Sequence, residues 1–322
     1  MAEPRCCILG ATGFLGGQIA RVAHRQGWKI RGLRRRPNAV GTIGNLPVEW
    51  VSGDLSDTAS LLAAMRGCPL VFHAAGYYPR RTRDSGEAVR HGVMGMRNVL
   101  AAASTAGVRR LVYTSAYTTL GIPSSGLAAE NDLYVPTSTT TPYFEVKWAM
   151  EMEAMRAVTW GLPIVIALPT AVFGPGDIKP NSSQLLLMIA QGHSPSKSDG
   201  QINVVDARDV AEGHLAAANR GRTGGRYVLG GHNLEYQEML DIMTDTAGQM
   251  QQVSSAQGIV RTVARLGARL SSPEPHHLAI IGHWFHVDSA LTRNQLSLAD
   301  PIPFAKTCHD TLEWFYEHGY PQ

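Results

Sequence analysis

Tyr143 and Lys147 stand four positions apart in a stretch, 143–159, whose apolar residues recur at three-to-four spacing, so both project from one face of a helix. A phenol with an ordinary pKa of about 10 is a weak acid–base group at neutral pH unless a neighbouring ammonium favours its phenolate. Lys147 can supply that charge. A solvated helix face would show the same spacing, and a second cluster gives the pair its direction. Gly10-Ala11-Thr12-Gly13-Phe14-Leu15-Gly16 follows a short apolar run, Arg5 to Leu9, and opens a helical pattern. That context sets backbone N–H groups and the positive end of a helix against a pyrophosphate, at a distance only glycine permits.

A site for the non-phosphorylated dinucleotide usually ends its second strand on a carboxylate roughly 20 residues beyond the glycines, where it bonds the adenosine ribose. Here that place holds Leu33-Arg34-Arg35-Arg36. Guanidinium groups grip a 2′-phosphate through charge-assisted bonds, so NADP(H) is the expected cofactor; a solvated basic turn is the bland reading. Asp54, with Leu55 beside it, is placed after the third strand to accept a bond from the adenine amino group. Ala74, Ala75 and Gly76 end the fourth strand with residues small enough to let the chain pass the cofactor.

The elements that must position these groups alternate. Strands are predicted at Arg5 to Leu9, Trp28 to Leu33, Val48 to Val51, Pro69 to Phe72, Arg109 to Thr114 and Pro163 to Leu168. Helices are predicted at Leu15 to Gln26, Thr58 to Met65, Gly86 to Ala106 and Tyr143 to Thr159. The pattern is α/β, a doubly wound parallel sheet of the Rossmann kind. Glycines and prolines break the chain after Pro169, and Ile202 to Val205 with Asp209 to Asn219 looks like one more strand and helix of the sheet. The expected division is a cofactor domain over 1–168, completed by about 201–220, and a smaller discontinuous substrate lobe over 169–200 and 221–322.

Together these stretches resemble the extended short-chain dehydrogenase/reductase superfamily over nearly the whole chain. Gly10 to Gly16 is similar to its TGxxGxxG, Tyr143 to Lys147 to its YxxxK, and Val112-Tyr113-Thr114-Ser115 to its serine-bearing strand end. Gly174-Pro175-Gly176-Asp177, Val204-Val205-Asp206 with Asp209-Val210-Ala211, and Tyr227 to Gly231 resemble the branch of dihydroflavonol reductases, 3β-hydroxysteroid dehydrogenases and hopanoid-associated sugar epimerases.

The resemblance implies hydride transfer between the nicotinamide and a carbonyl or hydroxyl of a small hydrophobic substrate. Tyr143 would give the proton, Lys147 would hold the ribose, and Pro169, Thr170 and Val172 would border the nicotinamide. It also implies a homodimer paired through the helices at 86–106 and 143–159. The alternatives are a nucleotide-sugar epimerase or dehydratase that retains its NAD(P), and a cofactor-binding protein with weak catalysis. Two departures bear on the chemistry. The usual catalytic hydroxyl position is Ala116, leaving Ser115, Tyr117 or Thr118 to supply it, or none; and Gly92 stands where relatives often place a relay asparagine.

A net charge of +3 on 322 residues demands no nucleic-acid partner. The longest apolar runs, such as Leu162 to Leu168, fall short of the roughly 20 residues of a membrane span, and no leader pattern precedes Cys6, so a cytoplasmic protein is expected. Cys6, Cys7, Cys68 and Cys308 lack zinc-site spacing and read as reduced, buried thiols. His276, His277, His283 and His286 match no common metal pattern, so no metal is expected and a lid or surface segment is the reading. Tyr77 to Arg83 follows the fourth strand and either touches an aromatic or anionic substrate or is a solvated basic loop.

Overall fold

The computed structural model describes residues 4–77, 84–122, 126–135, 142–180, 182–195, 199–256 and 285–320. Seven strands form one parallel sheet: β1 (Arg5–Leu9), β2 (Lys29–Arg34), β3 (Val48–Ser52), β4 (Leu70–His73), β5 (Arg110–Thr114), β6 (Ile164–Pro169) and β9 (Arg226–Leu229). Their spatial order is β3-β2-β1-β4-β5-β6-β9. The winding direction therefore reverses between β1 and β4, which opens a crevice at their carboxyl ends.

Helices α1 (Phe14–Arg25) and α6 (Ala207–Arg220) cover one face, with Ile19, Val22, Val210 and Leu215 packed on Ile8, Phe72 and Val165. Helices α2 (Thr58–Met65), α3 (Ser85–Thr105) and α4 (Pro142–Thr159) cover the other through Leu61, Met96, Val99, Val146 and Met150. Both faces are thus sealed, as a parallel sheet requires. The observed elements begin and end within about two residues of the pattern read from sequence.

One expectation is corrected. The strand at Gln201–Asp206, β8, does form, but it joins a second, three-stranded sheet between β7 (Ala171–Phe173) and β10 (His232–Glu235). The main sheet gains β9 instead. Ile202 and Val204 turn toward Leu186, Leu187, Met239 and Leu240 of α5 (Ser183–Ala190) and α7 (Tyr236–Ala256), whereas Val205 faces the main core. A run buried on both faces says that a strand forms and not which neighbour it pairs with.

The chain after Pro169 is also more regular than its glycines and prolines suggest. The 21-residue α7 and α9 (Phe304–Glu317) pack its apolar centre, and α8 (Ala290–Leu296) leans on α6. Asp206, at the end of β8, accepts from Arg208 and from the Thr307 hydroxyl at 2.8 Å, and Gln18 Nε2 of α1 donates to the Pro175 carbonyl.

Candidate active site

Aspartates cap three of the helices: Asp57 accepts from Ala59 N, Asp84 from Glu87 N and Asp206 from Arg208 N. Helix α1 is different. It opens on Gly13, which is exposed and offers no side-chain cap, so the first-turn N–H groups stay available to a ligand at the crevice. Gly10 has φ +92°, and a Cβ there would fall 2.7 Å from Ala75 N and 2.9 Å from the Ala74 carbonyl. Gly16 is pressed so closely on Gly10 that a Cβ would fall 2.0 Å from the Gly10 carbonyl oxygen. The glycines therefore bring the ends of β1 and β4 together and seat α1 on them, with Thr12, Phe14 and Leu15 half-buried around the opening.

At the end of β2 the Arg34 guanidinium lies over the Trp50 ring, 5.1 Å from its centroid, and Arg34 Nε is buried without a hydrogen-bond partner among the described residues. Arg35 is exposed and pairs loosely with Asp54, Nε to Oδ2 3.8 Å. Asp54 also accepts from the Ser56 N–H and hydroxyl, which lower its pKa, and Arg35 adds to the effect. The Leu55 carbonyl is fixed by Asn98 Nδ2 from α3 at 2.9 Å. A cation-rich edge thus adjoins the glycine loop, as a 2′-phosphate site needs.

On α4, Tyr143 is half-buried in the first turn and Lys147 is buried one turn later. Lys147 Nζ donates to the carbonyls of Thr114, at 3.3 Å, and Ser115, at 3.5 Å. A Cβ on Gly76 would lie 3.6 Å from that same Nζ, which places the ammonium beside the loop after β4. Burial pushes the Lys147 pKa down to about 8, against an upward pull from Glu151. His73, at the end of β4, has both ring nitrogens buried and without hydrogen-bond partners among the described residues; burial and Lys147 together push it down to about 3.

Glu151 and Arg226 were not singled out from the sequence. Glu151 lies one turn beyond Lys147 and is fully buried. Its Oε2 accepts from the Ser115 hydroxyl at 2.5 Å and the Thr119 hydroxyl at 2.7 Å, and its Oε1 accepts from Arg226 Nε at 2.7 Å. The four-residue step from Lys147 was the available signal. Beyond Ala116 the chain makes a short 3-10 turn, Tyr117–Thr119. Tyr117 packs its ring 5.2 Å from that of Phe285, and the Thr118 hydroxyl is buried with no hydrogen-bond partner among the described residues.

At the end of β6, the Thr170 hydroxyl donates to Asn203 Oδ1 at 2.7 Å, and Asn203 Nδ2 donates to Asn233 Oδ1 at 2.8 Å. Pro169 and Thr170 are buried and Val172 half-buried, and this network ties the end of β6 to β8 and β10 of the smaller sheet. Gly92 lies at the crossing of α3 and α4, where a Cβ would meet Val146 Cγ1 at 2.8 Å. His286 Nε2 bonds the Leu234 carbonyl, and the Tyr77 ring lies tilted against that of His91, centroids 4.4 Å apart. Residues 78–83 and His276, His277 and His283 lie outside the described residues. The four cysteines are free and buried. Among the described residues no helix is long and apolar enough to cross a membrane.

The sequence model of the NAD dependent epimerase/dehydratase family matches residues 6–230. The chain is 31% identical to a putative dihydroflavonol 4-reductase of Synechocystis sp., with 97% of this chain and 95% of that protein covered. It is 28% identical to sterol demethylase protein B of Methylococcus capsulatus, covering 97% and 98%. Among solved structures, a nucleoside-diphosphate-sugar epimerase from Pseudomonas aeruginosa superposes with a TM-score of 0.82 at 25% identity, over all of both chains. The chain belongs to the NAD dependent epimerase/dehydratase family, within the extended short-chain dehydrogenase/reductase superfamily.

Proposed function

We propose that the protein is an NADP(H)-dependent oxidoreductase that moves hydride between the nicotinamide and a carbonyl or hydroxyl group of a small hydrophobic substrate. The carrying observation is that Lys147 Nζ sits beside Gly76, so the Tyr143–Lys147 face of α4 meets the loop that closes on Gly10. The glycine loop and the uncapped start of α1 would hold the pyrophosphate, with Ala74 and Ala75 against it. Arg34, backed by Trp50, and Arg35 would hold the 2′-phosphate, with Asp54 and Leu55 at the adenine. When bound, the cofactor supplies or takes the hydride. Tyr143 gives the proton to the carbonyl oxygen, and Lys147, as an ammonium, favours the phenolate left behind and holds the ribose. Pro169, Thr170 and Val172 form the wall beside the reacting carbon. The 31% identity with a putative dihydroflavonol 4-reductase over almost the full chain supports a reductase.

A second reading, an epimerase or dehydratase that recycles a retained dinucleotide, is favoured by the likeness to the nucleoside-diphosphate-sugar epimerase. The arginines at the end of β2 stand against it. Incubation with NADPH and a panel of cyclic ketones beside UDP-sugars, followed by absorbance of the reduced nicotinamide, separates the readings. Net oxidation with a ketone supports the reductase, sugar turnover without net oxidation supports the epimerase, and silence with binding leaves a cofactor-binding protein. Fluorescence titration checks the cofactor: NADPH is expected to bind more tightly than NADH, and Arg34→Ala with Arg35→Ala to remove the difference.

A further inference from the structure

Lys147 is a buried cation that donates long bonds to two neutral groups, the carbonyls of Thr114 and Ser115. One turn along the same helix face, the carboxylate of Glu151 is entirely buried and receives three donors: the hydroxyls of Ser115 and Thr119 and the guanidinium of Arg226. Ser115 and Arg226 donate to it, and Thr119 divides its one hydroxyl proton between this carboxylate and the Ala116 carbonyl at 2.8 Å. Arg226 is itself secured, since Nη1 donates to the Glu130 carbonyl and Nη2 to the Thr119 carbonyl at 2.9 Å.

We infer that Glu151 is a positioning residue of the active site, a fixed negative charge that keeps Lys147 an ammonium while its bonds to Ser115 and Thr119 hold the strand end on which Lys147 Nζ rests. A carboxylate retained only for packing would need neither the charge nor its place one turn from the lysine, because a buried ion pair is by itself weak support for stability. The other groups facing Lys147 cannot do this. His73 of β4 is held neutral by burial, and Tyr113 of β5 has its phenol pKa raised by burial and by Glu151. Among the described residues, Tyr143 is the other titratable side chain on this face of α4 near the lysine. From α3 the crossing receives Gly92, Met96 and Val99, which do not titrate. Arg226, behind Glu151, is of the wrong sign.

The inference rests on the proposed role of Lys147, but its test needs no nicotinamide. With a folded pKa of about 8 against the ordinary 10.5, Lys147 binds its proton less well in the native chain, so stability contributed at this site rises with pH across that window. Urea unfolding of the full chain from pH 6 to 10.5, compared with Lys147→Met in the same background, reads the onset of that rise. In Glu151→Gln the onset should fall by about one pH unit, the usual scale for a close opposite charge. In Glu151→Gln/Arg226→Gln, which leaves no unpaired buried guanidinium, the onset should also fall, but by less. An unchanged onset in either folded variant, whatever the loss of stability, overturns the inference. The pH dependence of NADPH affinity should move the same way; a parent protein that bound no nicotinamide would sink the proposed function and leave the unfolding result to decide this one.

Discussion

The hydroxyl of Ser115 donates its single proton to Glu151 Oε2 at 2.5 Å, so in this arrangement it has none left for a substrate carbonyl. Thr119 is engaged by the same carboxylate. Thr118, between Ala116 and Thr119, carries a buried hydroxyl without a hydrogen-bond partner among the described residues. Thr118→Val should therefore lower kcat by about 10²-fold, the scale of one lost donor to a developing oxyanion. Ser115→Ala should instead cost about 1–3 kcal/mol of stability, by depriving a buried carboxylate of a donor, with less than about a tenfold change in kcat. Steady-state kinetics beside urea unfolding distinguish the two; the reverse ranking would return the role to Ser115.

Tyr143→Phe deletes one hydroxyl and no group near the glycine loop. Turnover should drop about 10²- to 10⁴-fold while NADPH affinity is nearly unchanged. Lys147→Ala should damage both, because the ammonium serves the tyrosine and the ribose. Single-turnover kinetics and cofactor titration read the split, and a Tyr143→Phe enzyme within tenfold of the parent would mean another group delivers the proton.

Two buried histidines set an acid limit. His214 takes a bond from the Thr114 hydroxyl and gives one to the Val210 carbonyl, and burial pushes it down to about 4; His73 is pushed down to about 3. Between those values and the ordinary 6.5 the unfolded chain binds more protons than the native one, so stability falls as pH falls. The slope should approach about 1.4 kcal/mol per pH unit for each histidine. His73→Phe should flatten the decline in unfolding midpoint between pH 6.5 and 4.5, and an identical decline would exclude His73 as its source.

Gly92 fits a close crossing of α3 and α4, where a Cβ would meet Val146 Cγ1 at 2.8 Å and Met150 Sδ at 3.2 Å. Gly92→Asn should cost about 1–3 kcal/mol through overpacking at the α3–α4 crossing. Thermal unfolding measures this, and Val146→Ala in the same chain should recover part of the loss.

Self-association through the outer sides of α3 and α4 is the proposal for the quaternary state. Met94 on α3 is 64% exposed and Trp160, just past α4, 67%, with the Arg156 guanidinium over its ring. Sedimentation velocity at micromolar concentration should show a dimer, and Met94→Glu should shift it toward monomer. A parent protein that sediments only as monomer refutes the proposal.

By itself the sequence determined the elements and the cofactor loop. Strand and helix limits follow from the period of the apolar residues, and Gly10, Gly13 and Gly16 announce a strand-to-helix turn that only glycine can make. The pairing of Tyr143 with Lys147 was legible for the same reason, since four helical residues always share a face. Partner choice across the chain was not. Which strand completes the sheet, how closely α3 and α4 cross at Gly92, how Arg34 rests on Trp50 and where Ser115 sends its proton are decided by groups that meet from distant elements. Ser115 and Glu151 are 36 residues apart, and Glu151 and Arg226 are 75 apart. A local pattern records whether a residue is buried, and only the packed fold sets which polar groups lie close enough to satisfy one another away from water.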